Sequence, residues 1–499
     1  MSESGLPAGL GALGPRTPVL VGVGTASADI EATELMIRAV ASAGDDTGRP
    51  ALLTQVDRIA VPQGSWAYTD PARLVADAVG ATSARTHLVE LGIPQQTLVN
   101  DALAAIIAGR SEVAVVVGGD AKRWARDRTR STGEAVETDQ GGVLPDVVHR
   151  RKGVLLEPVE VANRLWDPVQ QYAMIDNALR WAEGRSVAGH RAEVADLWAR
   201  FNLVARSNPE AAFPAPMEAA EIGTPSASNR PLAFPYNKWH STQWTVNQAA
   251  ALVLCSAEVA VRAGIPVDRW VFPLVGIESS HAVSLLRRVD PHRWPAMEVL
   301  GRAASGRLGR SFGELDVVET YSCFPAAVRV QQRALGLETT STPTVTGGMA
   351  FAGGPFNNFV FQATAAVVRS IREGDGLLGA VTTVSGLLTK PGIGVWSDRP
   401  DGRPPLVGDF AGDAASATRM VDPAGMVETL NGYRGEATVA TYTVTYDGTE
   451  PARTVVLCDT ADGRRCVAVS EDRSLAAHGV TNELIGAHVQ VHDGSFELS

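Results

Sequence analysis

The residues best placed to do chemistry lie in "ELDVVETYSCFPAAVRV", residues 314 to 330. An apolar run of strand type leads into Tyr321, Ser322, Cys323 and Phe324, and Pro325 suits the first turn of a helix. A cysteine at a helix N-terminus has its thiolate favoured by the dipole and the free N–H groups. Cys323 is therefore a candidate nucleophile or acid/base group, or else a small buried hydrophobe. Tyr321, a phenol with an ordinary pKa near 10, could donate a proton to a developing alkoxide or enolate. Cys255 lies in the core-strand pattern "AALVLCS". Cys458 and Cys466 sit in strand patterns near the end of the chain, and a hairpin turning at Asp462-Gly463 would put them on opposite sheet faces, with Cys458 across from Val467 and no disulfide.

A second candidate is "TGGMAFAGGPFNNF", residues 346 to 359, where glycine lets backbone come close to a ligand but no side chain exchanges protons near neutral pH. Gly353 and Gly354 open a Gly-Pro turn before a helix pattern. A similar turn at "GIPQQ" starts at Gly92. Helix N-termini can hold an anionic or carbonyl oxygen through backbone N–H groups, although such turns also serve plain helix-on-strand packing. The third candidate is "KRWARDRTR", with Lys122, Arg123 and Arg126 among five basic residues and one acid, followed by Arg150, Arg151 and Lys152. It fits a phosphate-binding segment or a solvated charged loop. Trp166, Trp181, Trp198, Trp239 and Trp244 enrich the same region and would either line an apolar channel or form its core.

Positioning these groups requires a layered α/β body. From Thr17 short apolar runs alternate with helix-length amphipathic segments. The alternation lapses over 121–241, which reads as an inserted loop domain or functional cap. It resumes at "VNQAAALVLCS" and runs to about residue 400. Gly92–Gly119 parallels Gly353–Gly386, each a Gly-Pro turn, a helix, a glycine and a strand, so the body is a duplicated half. The expected organisation is an N-terminal half over 1–267, including the insertion, a C-terminal half over 268–403, and a separate unit over 404–499. "DGRPPLVGDFAGD" reads as the linker into that unit. Three strand patterns, a short helix and two more strands then predict a small all-β barrel of the oligonucleotide/oligosaccharide-binding (OB) type.

Charge narrows the partners. The chain carries a net −11, and residues 404–499 alone hold 6 basic and 14 acidic groups, so the barrel lacks the basic groove that single-stranded nucleic acid needs. Its expected role is docking or covering. No apolar run reaches the length of a membrane span, and "MSESGLPAGLGALGPR" lacks a signal-peptide pattern, so a cytoplasmic location is expected. The cysteines and nine histidines form no metal-ligand spacing.

Together "VNQAAALVLCS", "DVVETYSCF", "GGMAFAGGP", the final "VSG" and the duplicated halves resemble the thiolase superfamily across roughly residues 15–400. "YSCF" is similar to the HDCF motif of sterol-carrier-protein-type thiolases, and the added barrel to that of mycobacterial-style thiolase-like proteins. The resemblance implies a five-layered αβαβα body, a coenzyme A or acyl-CoA ligand held without a covalent cofactor, an insertion that binds the nucleotide end, and a place in lipid metabolism. It also implies dimerisation through the strand "RTHLVEL", which the barrel could leave free or cover, so monomer and homodimer both stay open.

Carried over by position, the catalytic set is depleted. The nucleophilic cysteine of thiolases counts back to about Gly92, with no cysteine nearby. The GHP histidine falls on Gly354 and the CxG cysteine on Val384, while Gly386 is kept. The HDCF histidine becomes Tyr321 and its aspartate Ser322; Cys323 and Phe324 remain. Thiolysis and Claisen condensation need an acyl-carrying cysteine and its base. Ordinary thiolase activity is therefore expected to be weak or absent. Three expectations follow: a binder of acyl-CoA thioesters, an acyl-CoA carbon–carbon lyase or acyltransferase of altered mechanism using Cys323 and Tyr321, or a non-catalytic scaffold partner.

Overall fold

The computed structural model describes residues 13–153, 156–374, 377–421 and 425–499. Residues 1–12, most of the stretch read above for a signal-peptide pattern, lie outside them. Two mixed sheets make the body. The first runs in the order Pro18–Ala26, Asn247–Ser256, Val113–Ala121, Arg58–Pro62, Arg85–Val89, Val147–His149. The second runs Val317–Glu319, Leu378–Ser385, Lys390–Ser397, Phe272–Glu278, Leu406–Asp409. Val113–Ala121 and Asn247–Ser256 are buried along their whole length, which is why both read as unbroken apolar runs without alternation.

Helices Gln95–Ile107 and Phe359–Glu373 each touch strands of both sheets and form the middle layer. Ala32–Asp46 covers the outer face of the first sheet and Pro295–Leu308 that of the second. The order is helix, sheet, helix, sheet, helix. The sequence repeat has its physical counterpart here: each central helix is followed by a buried strand, Val113–Ala121 in one half and Leu378–Ser385 in the other.

The last part closes into a five-stranded barrel. Arg434–Asp447 pairs with Glu450–Thr460, and the ladder continues through Arg465–Ser470, Ser495–Leu498 and His488–His492 back to Arg434–Asp447. Helix Arg473–Gly479, capped by Asp472, lies between the third and fourth strands in sequence. Two sequence readings change. Leu406–Asp409 is not a linker: it pairs in parallel with Phe272–Glu278 as an edge strand, and Asp409 accepts hydrogen bonds from Ser280 N and Oγ. Cys458 pairs with Cys466 rather than with Val467, because the chain turns over Thr460–Arg464, centred on Asp462 rather than between Asp462 and Gly463, which shifts the register by one residue. One residue of register moves a side chain to the other face. Both cysteines are therefore buried on one face, as free thiols.

The insertion is more ordered than its sequence suggested. Helices Pro168–Ala182 and Val187–Ala205 start at Asp167 and Ser186, whose side chains accept from Val169 N and Gly189 N. Val147–His149 adds in parallel to Arg85–Val89, so the insertion, not the barrel, covers that strand. Pro231–Ala233 meets barrel strand Arg434–Asp447, and buried Asn177 donates to Tyr442 O at 2.9 Å and Phe234 O at 3.3 Å. Thr441 Oγ1 donates to Met174 O at 2.6 Å. The barrel is thus fastened to the insertion by buried polar bonds. Among the described residues no helix is long and apolar enough to cross a membrane. Asn177→Ala should destabilise the full chain by about 1–2 kcal/mol, since Tyr442 O loses this donor while Phe234 O keeps the Thr443 hydroxyl. An unchanged midpoint in urea denaturation would show that the fastening lies elsewhere.

Candidate functional site

The site forms at the carboxyl end of Val317–Glu319, beside the end of its parallel neighbour Leu378–Ser385. The Glu319 carboxylate is fully buried and accepts from Val345 N (2.6 Å), Thr346 N (2.9 Å) and the hydroxyls of Thr344 and Thr346 (2.9 Å each). Burial raises it to about 7, against the pull of these donors. This one side chain holds the loop that leads into the glycine stretch. Ser322 Oγ accepts from Met349 N at 3.0 Å and ties the same loop to the Cys323 motif.

Residues 242–244, directly after the insertion, join the pieces. Thr242 donates from N (3.0 Å) and Oγ1 (3.1 Å) to Cys323 O. Gln243 N donates to Met349 O at 3.1 Å, and Gly354 N donates to Gln243 O at 3.1 Å. The Trp244 ring carries Lys122 Nζ 2.8 Å from its centroid and lies 6.2 Å from the ring of Phe356. Cys323, Gly354 and Lys122, far apart in sequence, are thus brought around one short segment.

The glycines have different surroundings. A Cβ on Gly354 would lie 2.2 Å from Thr242 Cγ2, and one on Gly353, where φ is +97°, 2.4 Å from Gln248 Oε1. The position expected to carry a base therefore has no room for a side chain. Gly92 precedes helix Gln95–Ile107, and its carbonyl accepts from the buried Lys390 Nζ at 3.0 Å. Gly386 follows Leu378–Ser385, and its carbonyl accepts from Thr389 Oγ1 at 2.7 Å. Gln95 Oε1 accepts from Val360 N at 2.9 Å, so one free N–H of the Phe359 helix is already satisfied.

Tyr321 is fixed through its backbone, its N donating to Thr382 Oγ1 at 2.9 Å and its O accepting from Gln331 Nε2 at 2.8 Å. Cys323 precedes the helix by two residues. Burial pushes its thiol up to about 12, with the Tyr172 hydroxyl pulling the other way. Desolvation outweighs the helix N-terminus and favours the neutral thiol, which fits the buried-hydrophobe alternative better than the thiolate one.

Several residues of the site were missed. Phe324 stacks between Tyr172 (4.6 Å) and Tyr236 (5.7 Å). Tyr236 OH accepts from Ala326 N at 3.1 Å, and burial raises both phenols well above the usual range. Asp176 lies 3.1 Å from His190 Nε2, and Arg329 bridges His190 Nδ1 (2.9 Å) and Glu183 (2.6 Å). Burial pushes Asp176 up, but His190 and Arg329 outweigh it and hold the carboxylate below its ordinary value. The available signal was "VQQYAMIDNALRW", whose tyrosine and aspartate recur at the four-residue helical spacing.

Lys122, Arg123 and Arg126 share helix Lys122–Thr132. Only Lys122 reaches the Trp244 wall; Arg123 N donates to Val246 O at 3.3 Å, and exposed Arg126 pairs with Asp127 at 2.8 Å. Of the tryptophans, Trp198 is core, whereas Trp166, Trp181 and Trp244 are exposed. Among the described residues no group of three His, Cys, Asp or Glu side chains could hold a metal.

Two sheets around paired central helices, with an insertion ending at the Cys323 motif, define a thiolase-like fold. Residues 418–495 match the family model of the thiolase-like protein type 1 additional C-terminal domain. The chain is similar to the crystal structure of a monomeric SCP2-thiolase-like protein type 1 from Mycobacterium smegmatis, with 27% identity, a TM-score of 0.82, and 98% of this chain and 100% of that chain covered. An Ltp2–ChsH2(DUF35) aldolase matches at 18% identity and TM-score 0.56, covering 77% of this chain and 99% of that one. The dimeric peroxisomal thiolase of Saccharomyces cerevisiae matches at 14% and 0.54, covering 77% and 98%. These two establish the fold alone. No curated protein matched the sequence.

Gly354→Ala should destabilise the protein by about 1–3 kcal/mol through overpacking against Thr242. Adding Thr242→Ser, which removes Cγ2 and keeps the hydroxyl, should recover most of the loss in Tm. The neutral thiol predicts that Cys323 in the native protein resists iodoacetamide at pH 8 and gains reactivity as pH rises towards 12. Stoichiometric labelling within minutes at pH 8, read by peptide mass, would contradict that assignment.

Proposed function

We propose that this protein binds coenzyme A or acyl-CoA thioesters in lipid metabolism, with ordinary thiolase turnover weak or absent. The observation that carries the reading is Thr242. It keeps the Cys323 motif and the Gly353–Gly354 turn together while its methyl group fills the place of a base at position 354. Lys122, with Arg123 and Arg126 on the same helix, would receive the phosphates, and the turns at Gly92, Gly353, Gly354 and Gly386 would let backbone approach the thioester. The strand Val147–His149 occupies the outer edge of Arg85–Val89, through which the thiolase resemblance implies dimerisation. Together with the monomeric state named for the Mycobacterium smegmatis protein, this supports a monomer. A cytoplasmic location and the absence of nucleic-acid partners belong to the same proposal.

A second reading has one observation in its favour. Tyr172, Tyr236 and Tyr321 surround Cys323, and burial keeps all three phenols neutral, as a proton donor to an alkoxide or enolate must be. Cleavage of a carbon–carbon bond in an acyl thioester would use such donors, and one of the structural relatives is an aldolase.

Calorimetric titration with CoA and several acyl-CoAs should give saturable binding, with no acyl adduct in the intact mass and no new chromatographic product. Lys122→Ala should weaken CoA binding about tenfold, the scale of one charge-assisted contact. CoA affinity unchanged in a Lys122→Ala/Arg123→Ala protein would remove the phosphate assignment. Steady turnover lost in Cys323→Ala or Tyr321→Phe would favour the second reading.

A further inference from the structure

Cys458 and Cys466 stand directly opposite each other on the antiparallel barrel strands Glu450–Thr460 and Arg465–Ser470, and both are buried free thiols. Facing residues of such a ladder have Cβ atoms about 4.5–5.5 Å apart, and a disulfide spans about 3.5–4.5 Å, so a small approach of the strands would join them. The two side chains already share a hydrogen bond, which holds the proton on Cys458 and favours a thiolate at Cys466. The other two of the chain's four cysteines are placed differently. Cys255 faces Val19 and Val113 across its ladders, and Cys323 has the Tyr172 hydroxyl as its partner.

The surroundings give the pair a route to solvent and a neighbour that matters. It lies just inside the turn Thr460–Arg464, where Ala461, Asp462 and Gly463 are exposed. A single rung, Asp459 opposite Arg465, separates the cysteines from that turn. Local opening of the hairpin end admits a water-sized reagent without unfolding the barrel. On the same rung Arg465 pairs with Asp459 and also donates to the carbonyls of Arg288 and Val289 in the body. The dithiol is therefore next to the residue that ties barrel to body.

We infer that Cys458 and Cys466 form a redox-modification site, a dithiol that a small neutral peroxide converts into a cross-strand disulfide. The Cys466 sulfur attacks one peroxide oxygen, the O–O bond breaks, and the other oxygen leaves as water, which gives a sulfenic acid. The Cys458 sulfur then attacks the oxidised sulfur, the S–S bond forms, and the hydroxyl leaves with the Cys458 proton as a second water. Two thiols and one hydrogen peroxide thus give one disulfide and two waters, with sulfur oxidised and oxygen reduced. In a reducing compartment such a pair rests as the dithiol and closes only transiently, which makes it a sensor and not a staple. Closure would draw the two strands together beside Arg465 and stiffen the barrel end that grips the body. This site is independent of the acyl-CoA reading.

The test treats the reduced, native full chain with hydrogen peroxide, quenches with catalase, then denatures and alkylates with iodoacetamide. Alkylated thiols should fall from four to two, the remaining ones being Cys255 and Cys323. Trypsin cuts after Arg464 and Arg465, between the two cysteines, so the disulfide is read as a joined pair of peptides that dithiothreitol separates. In Cys458→Ala the reaction should stop at a sulfenic acid on Cys466 that dimedone labels. Should that variant fail to fold, peptide mapping of the wild type still decides. Four thiols left alkylatable, or Cys466 carried on to sulfinic acid with no joined peptides, would overturn the site. So would a joined pair that forms only once urea has unfolded the barrel. The oxidised chain should also exchange amide hydrogens more slowly across residues 450–470, and an unchanged pattern would overturn the stiffening.

Discussion

Two hydrogen bonds from Thr242 to the carbonyl of Cys323 hold the candidate site in place, and most of its geometry follows from them. They stop the insertion against the second half of the body. Gln243 continues the contact by bonding Met349 and Gly354, and Trp244 by carrying Lys122. Beneath them Glu319 collects four donors from residues 344–346, so the loop arrives at the right height to meet Gln243. Most of these anchors are backbone groups. A site held by backbone can lose its reactive side chains and keep its shape.

That separation explains how a depleted motif set coexists with a well-formed site. At Gly354, where the resemblance implies a histidine, Thr242 Cγ2 fills the space that a side chain would take. At the start of the Phe359 helix, Gln95 takes one N–H that could have met a thioester oxygen. Cys323 remains, but in an environment that favours its neutral form. Proton donors are plentiful around it and proton acceptors are scarce. Such surroundings suit holding a carbonyl or alkoxide better than forming an acyl-enzyme.

Much of the architecture was legible because period and length carry it. The buried strands Val113–Ala121 and Asn247–Ser256 read as unbroken apolar runs, and the repeated turn, helix and strand revealed the two halves. The barrel could be read from three strand patterns, a short helix and two more strands. What failed was register and long-range polarity. The Cys458–Cys466 pairing turned on a single residue in the Thr460–Arg464 loop, which alternation alone does not fix. Leu406–Asp409 looked like linker because four residues among glycines and prolines carry too little pattern to mark an edge strand. In the site, Cys323, Tyr321 and the glycines announced themselves by motif. Tyr172, Asp176, His190, Tyr236 and Arg329 did not, since each lies singly in an otherwise ordinary segment and only the fold gathers them.

Burying the gathered polar set is costly, since each charge loses its hydration. Asp176, His190, Arg329 and Glu183 link insertion helices Pro168–Ala182 and Val187–Ala205 to the helix that follows Cys323. Desolvation of such groups roughly cancels their attraction, so the network contributes little net stability over an apolar core of the same shape. Its effect is on geometry. An apolar contact between these helices would tolerate sliding, whereas the proximity of the Asp176 carboxylate to His190 and Arg329 favours one arrangement. The same helices carry Tyr172 towards Cys323 and place Asp176 beside Tyr236, whose hydroxyl takes the Ala326 N–H at the start of the Pro325 helix. A slip of one helical residue, about 1.5 Å, would unmake both phenol contacts. The buried charges therefore set the position of the neutral donors around Cys323, and through them the kind of chemistry the site can support.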